Sequence, residues 1–179
     1  VVPVEFAGLV AGRTSFGHRF MAPGAIEVTG FADFATKLEA AKVMLDQDRR
    51  RALILTKAAD LADSAGLVLE QDPGLVEELK GLAEWPVPLI GRIEASFMEL
   101  PAEGLVTSLR EHQKYLATRN ADGSLGDRFV FVANRETLDG GAAVVAGNER
   151  VLRARLWDAK FFWAKDREQP LEARLPQLS

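Results

Sequence analysis

Up to residue 30 this chain shows no helical period, and from residue 31 onward it does. Strand and helix patterns then follow one another without regular βαβ alternation. That irregularity argues against a doubly wound parallel sheet. It favours an α+β fold, a mixed or antiparallel sheet with packed helices, ending in one long helix.

The early segment is rich in Val, Phe, Gly and Thr. Residues 5–10 read as one strand and residues 12–17 as a turn. Residues 18–21 and 25–28 read as further strands, parted at Pro23-Gly24. Phe34, Leu38, Ala41 and Leu45 then share a helical face, with Asp33 suited to the N-cap. A second helix is expected over residues 48–65, with Ile54, Ala58, Leu61 and Ala65 as its stripe and Gly66 just beyond its end. Arg49, Arg50 and Arg51 stand in its first turn, the unfavourable pole for cations. Either Asp46 and Asp48 pair with them or they serve another purpose.

A short strand is expected over 67–69, a helix over 75–82 and a strand over 87–93. Pro88 places that last strand at an edge or gives it an irregular start. Residues 103–112 read as helix. Residues 115–118 and 128–132 read as strands, joined by a hairpin loop over 120–124. The last helix is expected from Asn148 as N-cap, with Glu149 in its first turn, to about residue 165. Leu152, Leu156, Ala159 and Trp163 form one stripe, while Trp157 and Phe161 lie on another side, flanked by Arg150, Arg153 and Lys160. The second aromatic side suggests docking against further sequence. The domain reading is therefore 1–146 as an α+β domain and 147–179 as a helix leading into a following helical domain.

Bulk charge bounds the chemistry. The 179 residues carry a net charge of −4, so the chain is not a strongly basic nucleic-acid module, although a local basic patch is compatible. There is no cysteine, hence no thiolate chemistry. The two histidines have no metal-ligand spacing. No phosphate loop or nucleophile elbow occurs. No apolar run approaches the roughly 20 residues that span a bilayer. The chain starts at Val1 without a signal-like segment and reads as cut from something longer.

Three constellations could bind a ligand. Arg13, His18 and Arg19, with Thr14 and Ser15, suit phosphate or ribose, and equally a solvated turn. His112, Gln113 and Lys114 stand at a helix-to-strand junction and suit a base edge, or a hydrogen-bonded structural junction. Gly147-Asn148-Glu149-Arg150 opens the last helix and suits an anion, but Glu149 already supplies one there.

Several segments occur together in an order that resembles one family. They are Gly17-His18-Arg19-Phe20, Asp46 with Arg49-Arg50, Glu84-Trp85-Pro86-Val87, Leu89-Ile90-Gly91 and Phe97-Met98-Glu99-Leu100-Pro101-Ala102-Glu103. Glu111-His112-Gln113-Lys114-Tyr115, Phe129-Val130-Phe131-Val132-Ala133-Asn134 and Gly147-Asn148-Glu149-Arg150-Val151 follow, then the helix through Trp157 and Phe161. Nearly the whole chain is similar to an internal piece of bacterial glycyl-tRNA synthetase β subunits. The resemblance implies a class II ligase that attaches glycine to tRNA(Gly) in the cytoplasm. Two α and two β subunits would form a heterotetramer, with ATP and Mg2+ used by the α subunit. It implies a piece similar to the B3/B4 domain of phenylalanyl-tRNA synthetase β. Its role would be tRNA binding and assembly with the α subunit and the remaining β domains. The alternatives are hydrolytic editing of mischarged tRNA, with His18 or His112 orienting water, and a structural spacer. The residues carried forward are Arg13, His18, Arg19, His112, Gln113, Lys114, Asn134, Arg150 and Arg153 as tRNA or ligand contacts, and Trp157 and Phe161 as a docking face. Convergence of His18, Arg19, His112 and Asn134 would indicate a ligand pocket. Burial in satisfied hydrogen bonds would favour assembly.

Overall fold

The computed structural model describes residues 4–168. Residues 1–3 and 169–179, including the end of the expected 147–179 unit, lie outside the described residues.

The centre is a four-stranded antiparallel sheet. Strands β5 (Val68–Leu69), β7 (Leu116–Arg119), β8 (Leu125–Ala133) and β6 (Val87–Arg92) lie in the spatial order β5-β7-β8-β6. The period-2 alternation of β8 explains the layers. Phe129 and Phe131 point to one face, where they meet Tyr115, Leu105, Leu109, Leu152 and Leu156. Val130 points to the other, against Leu116, Ile54, Ala58, Ala62, Leu75, Val76 and Leu79. The first face is covered by α5 (Ala142–Glu168) and α4 (Ala102–Thr107). The second is covered by α2 (Gln47–Ser64) and α3 (Pro73–Leu82). The expectation of an α+β fold with an antiparallel sheet and a long final helix holds, and Pro88 does sit in an edge strand.

Helix starts follow local chemistry. Asp46 caps α2 by accepting from the N–H groups of Asp48 and Arg49. Asp72 caps α3, with Pro73 at its first position. Gly66, at φ +72°, follows α2 as expected. The three arginines of α2 each have an occupation. Arg49 binds Glu39 at 3.0 Å, Arg51 pairs with Asp48, and Arg50 donates to the carbonyls of Lys80, Met44 and Leu45. Arg50 thereby ties the start of α2 to the end of α3.

The structure corrects the N-terminal reading. Residues 5–10 are not one strand but a tight hairpin, β1 (Glu5–Phe6) and β2 (Leu9–Val10). Ala7 and Gly8 both turn with positive φ. Residues 12–17 are not simply a turn, because β3 (Thr14–Phe16) lies there and pairs with β4 (Ala25–Glu27). Residues 18–21 form a turn rather than a strand, since the His18 side chain binds their backbone. Helix α1 (Phe31–Ala40) starts after Gly30, which lacks a side chain to cap it. Asp33 acts from inside the first turn instead, accepting from the Thr29 N–H at 2.9 Å. The helix ends before Ala41 and Leu45. After α4 the chain widens into a π-helical turn, Ser108–Gln113.

The last helix begins seven residues earlier than the sequence suggests, at Ala142 rather than after Asn148. Asp139 satisfies its first turn. It accepts from the hydroxyl of Thr137 at 2.5 Å and from the N–H groups of Ala143 at 2.8 Å and Gly141 at 3.1 Å. The Thr137 bond first, then these backbone bonds, lower the Asp139 carboxyl from 3.8 to about 2. A carboxyl depressed in the folded state stabilises it above the ordinary pKa and loses that contribution as pH falls through the folded value. Asp139→Ala should therefore lower the denaturation midpoint by a constant amount above pH about 4. The difference from wild type should shrink as pH falls below about 4 and be lost as pH passes below about 2, read by circular dichroism at each pH. Among the described residues, no helix is long and apolar enough to cross a membrane.

Candidate functional site

His18 is the most constrained of the expected site residues, at 1 % exposure. Its Nδ1 accepts from the backbone N–H groups of Phe20 and Met21, each at 3.2 Å. Those two donors place the ring proton on Nε2, which donates to the Asn134 carbonyl at 2.5 Å. Its own N–H donates to Ala41 O at 2.9 Å. Gly17 is required beside it: a Cβ there would stand 2.6 Å from that of Ala41. Asn134 is occupied in turn, its Oδ1 accepting from the Trp85 N–H at 2.9 Å. Two of the four residues expected to converge thus do meet, and both are spent on joining the N-terminal segment to the end of β8.

Arg19 stands beside that junction at the surface. Its guanidinium lies 5.7 Å from the centroid of the Phe20 ring. Arg135, which the sequence reading did not single out, lies 5.7 Å from the same ring. The only signal for Arg135 was its position next to Asn134. Glu136 is paired with Lys42 at 3.1 Å, and Lys42 lies 4.7 Å from the Trp85 ring. The Trp85 indole N–H, then Lys42, hold the Glu136 carboxyl below its usual range. Arg13 is exposed nearby in sequence, ahead of β3. Among the described residues, Arg13, Arg19 and Arg135 have no acidic partner within salt-bridge distance.

The second constellation is elsewhere. His112 is exposed on the π-helical turn, and its side chain makes no hydrogen bond among the described residues. Lys114 ends that turn in the left-handed region at φ +59° and pairs with Glu78 at 3.0 Å. Gln113 and Lys114 line a groove of about 320 Å³ with Leu82, Phe131 and Asn148. Tyr115 on its wall donates to Asn148 Oδ1 at 2.6 Å, and burial pushes the phenol up to about 12.

The third constellation is not a helix start. Asn148 lies inside α5, where its side chain also donates to Val144 O at 2.8 Å. Glu149 accepts from the Arg92 N–H at 2.8 Å and so satisfies the edge strand β6 rather than a helix end. Arg153 is neutralised by Glu94 at 2.5 Å, whereas Arg150 has no acidic partner among the described residues. The stripe of Leu152, Leu156, Ala159 and Trp163 faces the core of its own domain as expected, the first two buried and the last two partly so. Trp157 and Phe161 remain 55 % and 57 % exposed, and Trp157 touches Phe97 edge-on at 5.5 Å.

Among the described residues no group of three His, Asp or Glu side chains could hold a metal ion. The candidates therefore define an α+β domain whose buried polar groups are bonded internally and whose unpaired arginines are at the surface. The sequence model for the glycyl-tRNA synthetase beta subunit matches residues 1–179. The chain belongs to the glycyl-tRNA synthetase beta subunit family. It is 56 % identical to the glycine–tRNA ligase beta subunit of Rhodospirillum centenum over 168 residues, 94 % of this chain and 24 % of that protein. The corresponding subunit of Paracoccus denitrificans is 52 % identical over 166 residues, 93 % of this chain and 24 % of that protein. That of Phenylobacterium zucineum is 46 % identical over 180 residues, 99 % and 27 % respectively. The chain thus spans about a quarter of the length of these relatives.

Proposed function

We propose that this chain is a non-catalytic tRNA-binding and assembly segment within the β subunit of a glycine–tRNA ligase. The whole enzyme, in this reading, is a cytoplasmic class II synthetase of α and β subunits that charges tRNA(Gly). ATP and Mg2+ belong to the α subunit, and no residue of this chain is assigned to them. The α+β part, 1–146, is taken as the counterpart of the B3/B4 domain, and the unit from 147 onward as the lead into the next domain of β.

One observation carries the reading. His18 and Asn134 are consumed by internal hydrogen bonds, while Arg13, Arg19 and Arg150 stand at the surface with no acidic partner among the described residues. His18, bonded at both ring nitrogens, has none free to orient a hydrolytic water, and His112 stands on a separate element with no side-chain hydrogen bond among the described residues to position it. Unpaired surface arginines are the groups that phosphate binding uses. Lys114 and Arg153 contribute less because Glu78 and Glu94 already offset them. Trp157 and Phe161 supply apolar area suited to a neighbouring part of β. The overall charge of −4 makes the isolated segment a weak RNA binder, so binding needs the rest of the subunit.

The test is aminoacylation by the full-length enzyme carrying Arg13→Ala, Arg19→Ala and Arg150→Ala together. KM for tRNA(Gly) should rise about tenfold, since lost phosphate contacts weaken binding, with KM for glycine and ATP unchanged. An unchanged KM for tRNA(Gly) sinks the proposal.

A further inference from the structure

We propose that Phe20, flanked by Arg19 and Arg135, is a stacking site for an unpaired nucleotide of a bound RNA. The proposal rests on the tRNA-binding reading and adds to it a particular platform and a particular ligand feature.

Phe20 is 66 % exposed, and its ring lies 6.2 Å from the His18 ring, tilted by 54°. Two guanidiniums lie over it, each 5.7 Å from its centroid. They come from segments far apart in sequence, the turn after β3 and the chain after β8. The fold holds them together through the His18 ring, which binds Phe20 N–H on one side and Asn134 O on the other. The Glu136 N–H lies 3.3 Å from Met21 Sδ, a second tie between the same segments. The ring and both cations are therefore set on a pinned backbone, which lowers the entropy lost on binding.

The charge pattern selects the ligand. The nearest acid in sequence, Glu136, is already engaged by Lys42 and Trp85, so it does not cancel the arginines. In a chain of net charge −4, this ring carries two arginines that have no acidic partner among the described residues. An aromatic face with flanking guanidiniums fits a base on the ring and phosphates on either side. A base in a duplex offers no free face, so the ligand is a single-stranded stretch or an extruded nucleotide.

The test uses the full-length subunit with Phe20→Ala, Phe20→Leu, Phe20→Trp and the double change Arg19→Ala/Arg135→Ala. The probes are a fluorescein-labelled uridine oligonucleotide, an RNA duplex of equal length and a tRNA(Gly) transcript, followed by anisotropy. Phe20→Ala and Phe20→Leu should each weaken oligonucleotide binding about tenfold, and Phe20→Trp should keep wild-type affinity. The arginine pair should lower the slope of log affinity against log salt by about one or slightly more. Duplex binding should be insensitive to residue 20. The ring is exposed, so unchanged thermal melting separates these effects from misfolding. Wild-type affinity in Phe20→Leu, or equal losses on duplex and single strand, overturns the platform. So does a subunit that binds tRNA(Gly) but not the oligonucleotide, although that leaves the tRNA reading intact. Binding to neither RNA overturns both. If Phe20→Ala instead releases a protein subunit on gel filtration with RNA affinity unchanged, the ring is a protein contact and the proposal falls.

Discussion

Phe129→Ala should cost about 4 kcal/mol of folding stability, the largest loss expected from a single substitution in this chain. Phe129 is fully buried in the middle of β8 and stacks on Tyr115 with ring centroids 4.7 Å apart. Phe131 lies 6.0 Å away on the same face. The edge strand has been shaped around this ring. Gly91 is the residue opposite, and a Cβ on it would stand 2.5 Å from Phe129 Cζ. Removing the ring therefore leaves a cavity whose floor is backbone, which cannot collapse to fill it. Urea denaturation followed by circular dichroism should show a lower midpoint with the slope preserved. A loss under about 1 kcal/mol would mean that the two faces of the sheet are not packed as described.

His18→Ala is expected to cost about 3 kcal/mol, because it removes one buried ring and leaves several backbone groups unbonded. Phe20 N–H, Met21 N–H and Asn134 O would all lose their partner. Asn134→Ala offers a built-in contrast. It keeps the carbonyl that His18 uses and loses only the bond from Trp85 N–H, so its cost should be about 1 kcal/mol. Equal losses in the two variants would contradict the assignment of His18 to the Asn134 backbone. Amide exchange adds location: Phe20 and Met21 should lose protection in His18→Ala and keep it in Asn134→Ala.

How much was legible in the sequence follows from the range of each interaction. The stripes of α2 and α5 were visible, since burial against one sheet imposes a 3.6-residue period, except that Ala65 is exposed at the end of α2 and Ala62 is buried instead. The β7–β8 hairpin was visible because Gly123 and its polar neighbours make a local turn. The N-terminal strands were misplaced because β1 to β4 bury no side chain completely, so no strong alternation marks them. The start of α5 was misplaced because Asn148 has the chemistry of a cap. Its actual partner, Tyr115, is 33 residues away. The same limit applies to the site. His18 looked like a surface ligand residue, since nothing local reveals that its acceptor lies 116 residues downstream. Arg135 gains its meaning only from Phe20 across that junction. The resemblance of ordered segments to the synthetase family was legible throughout, because it depends on sequence order rather than on contacts.

The central claim is that this segment contributes phosphate contacts to tRNA rather than chemistry. Its most direct measurement is the salt dependence of tRNA(Gly) affinity for the full-length enzyme, wild type against Arg13→Ala/Arg19→Ala/Arg150→Ala. The slope of log affinity against log salt should fall by about two to three for three lost contacts. Identical slopes and identical affinities at every salt concentration would contradict it.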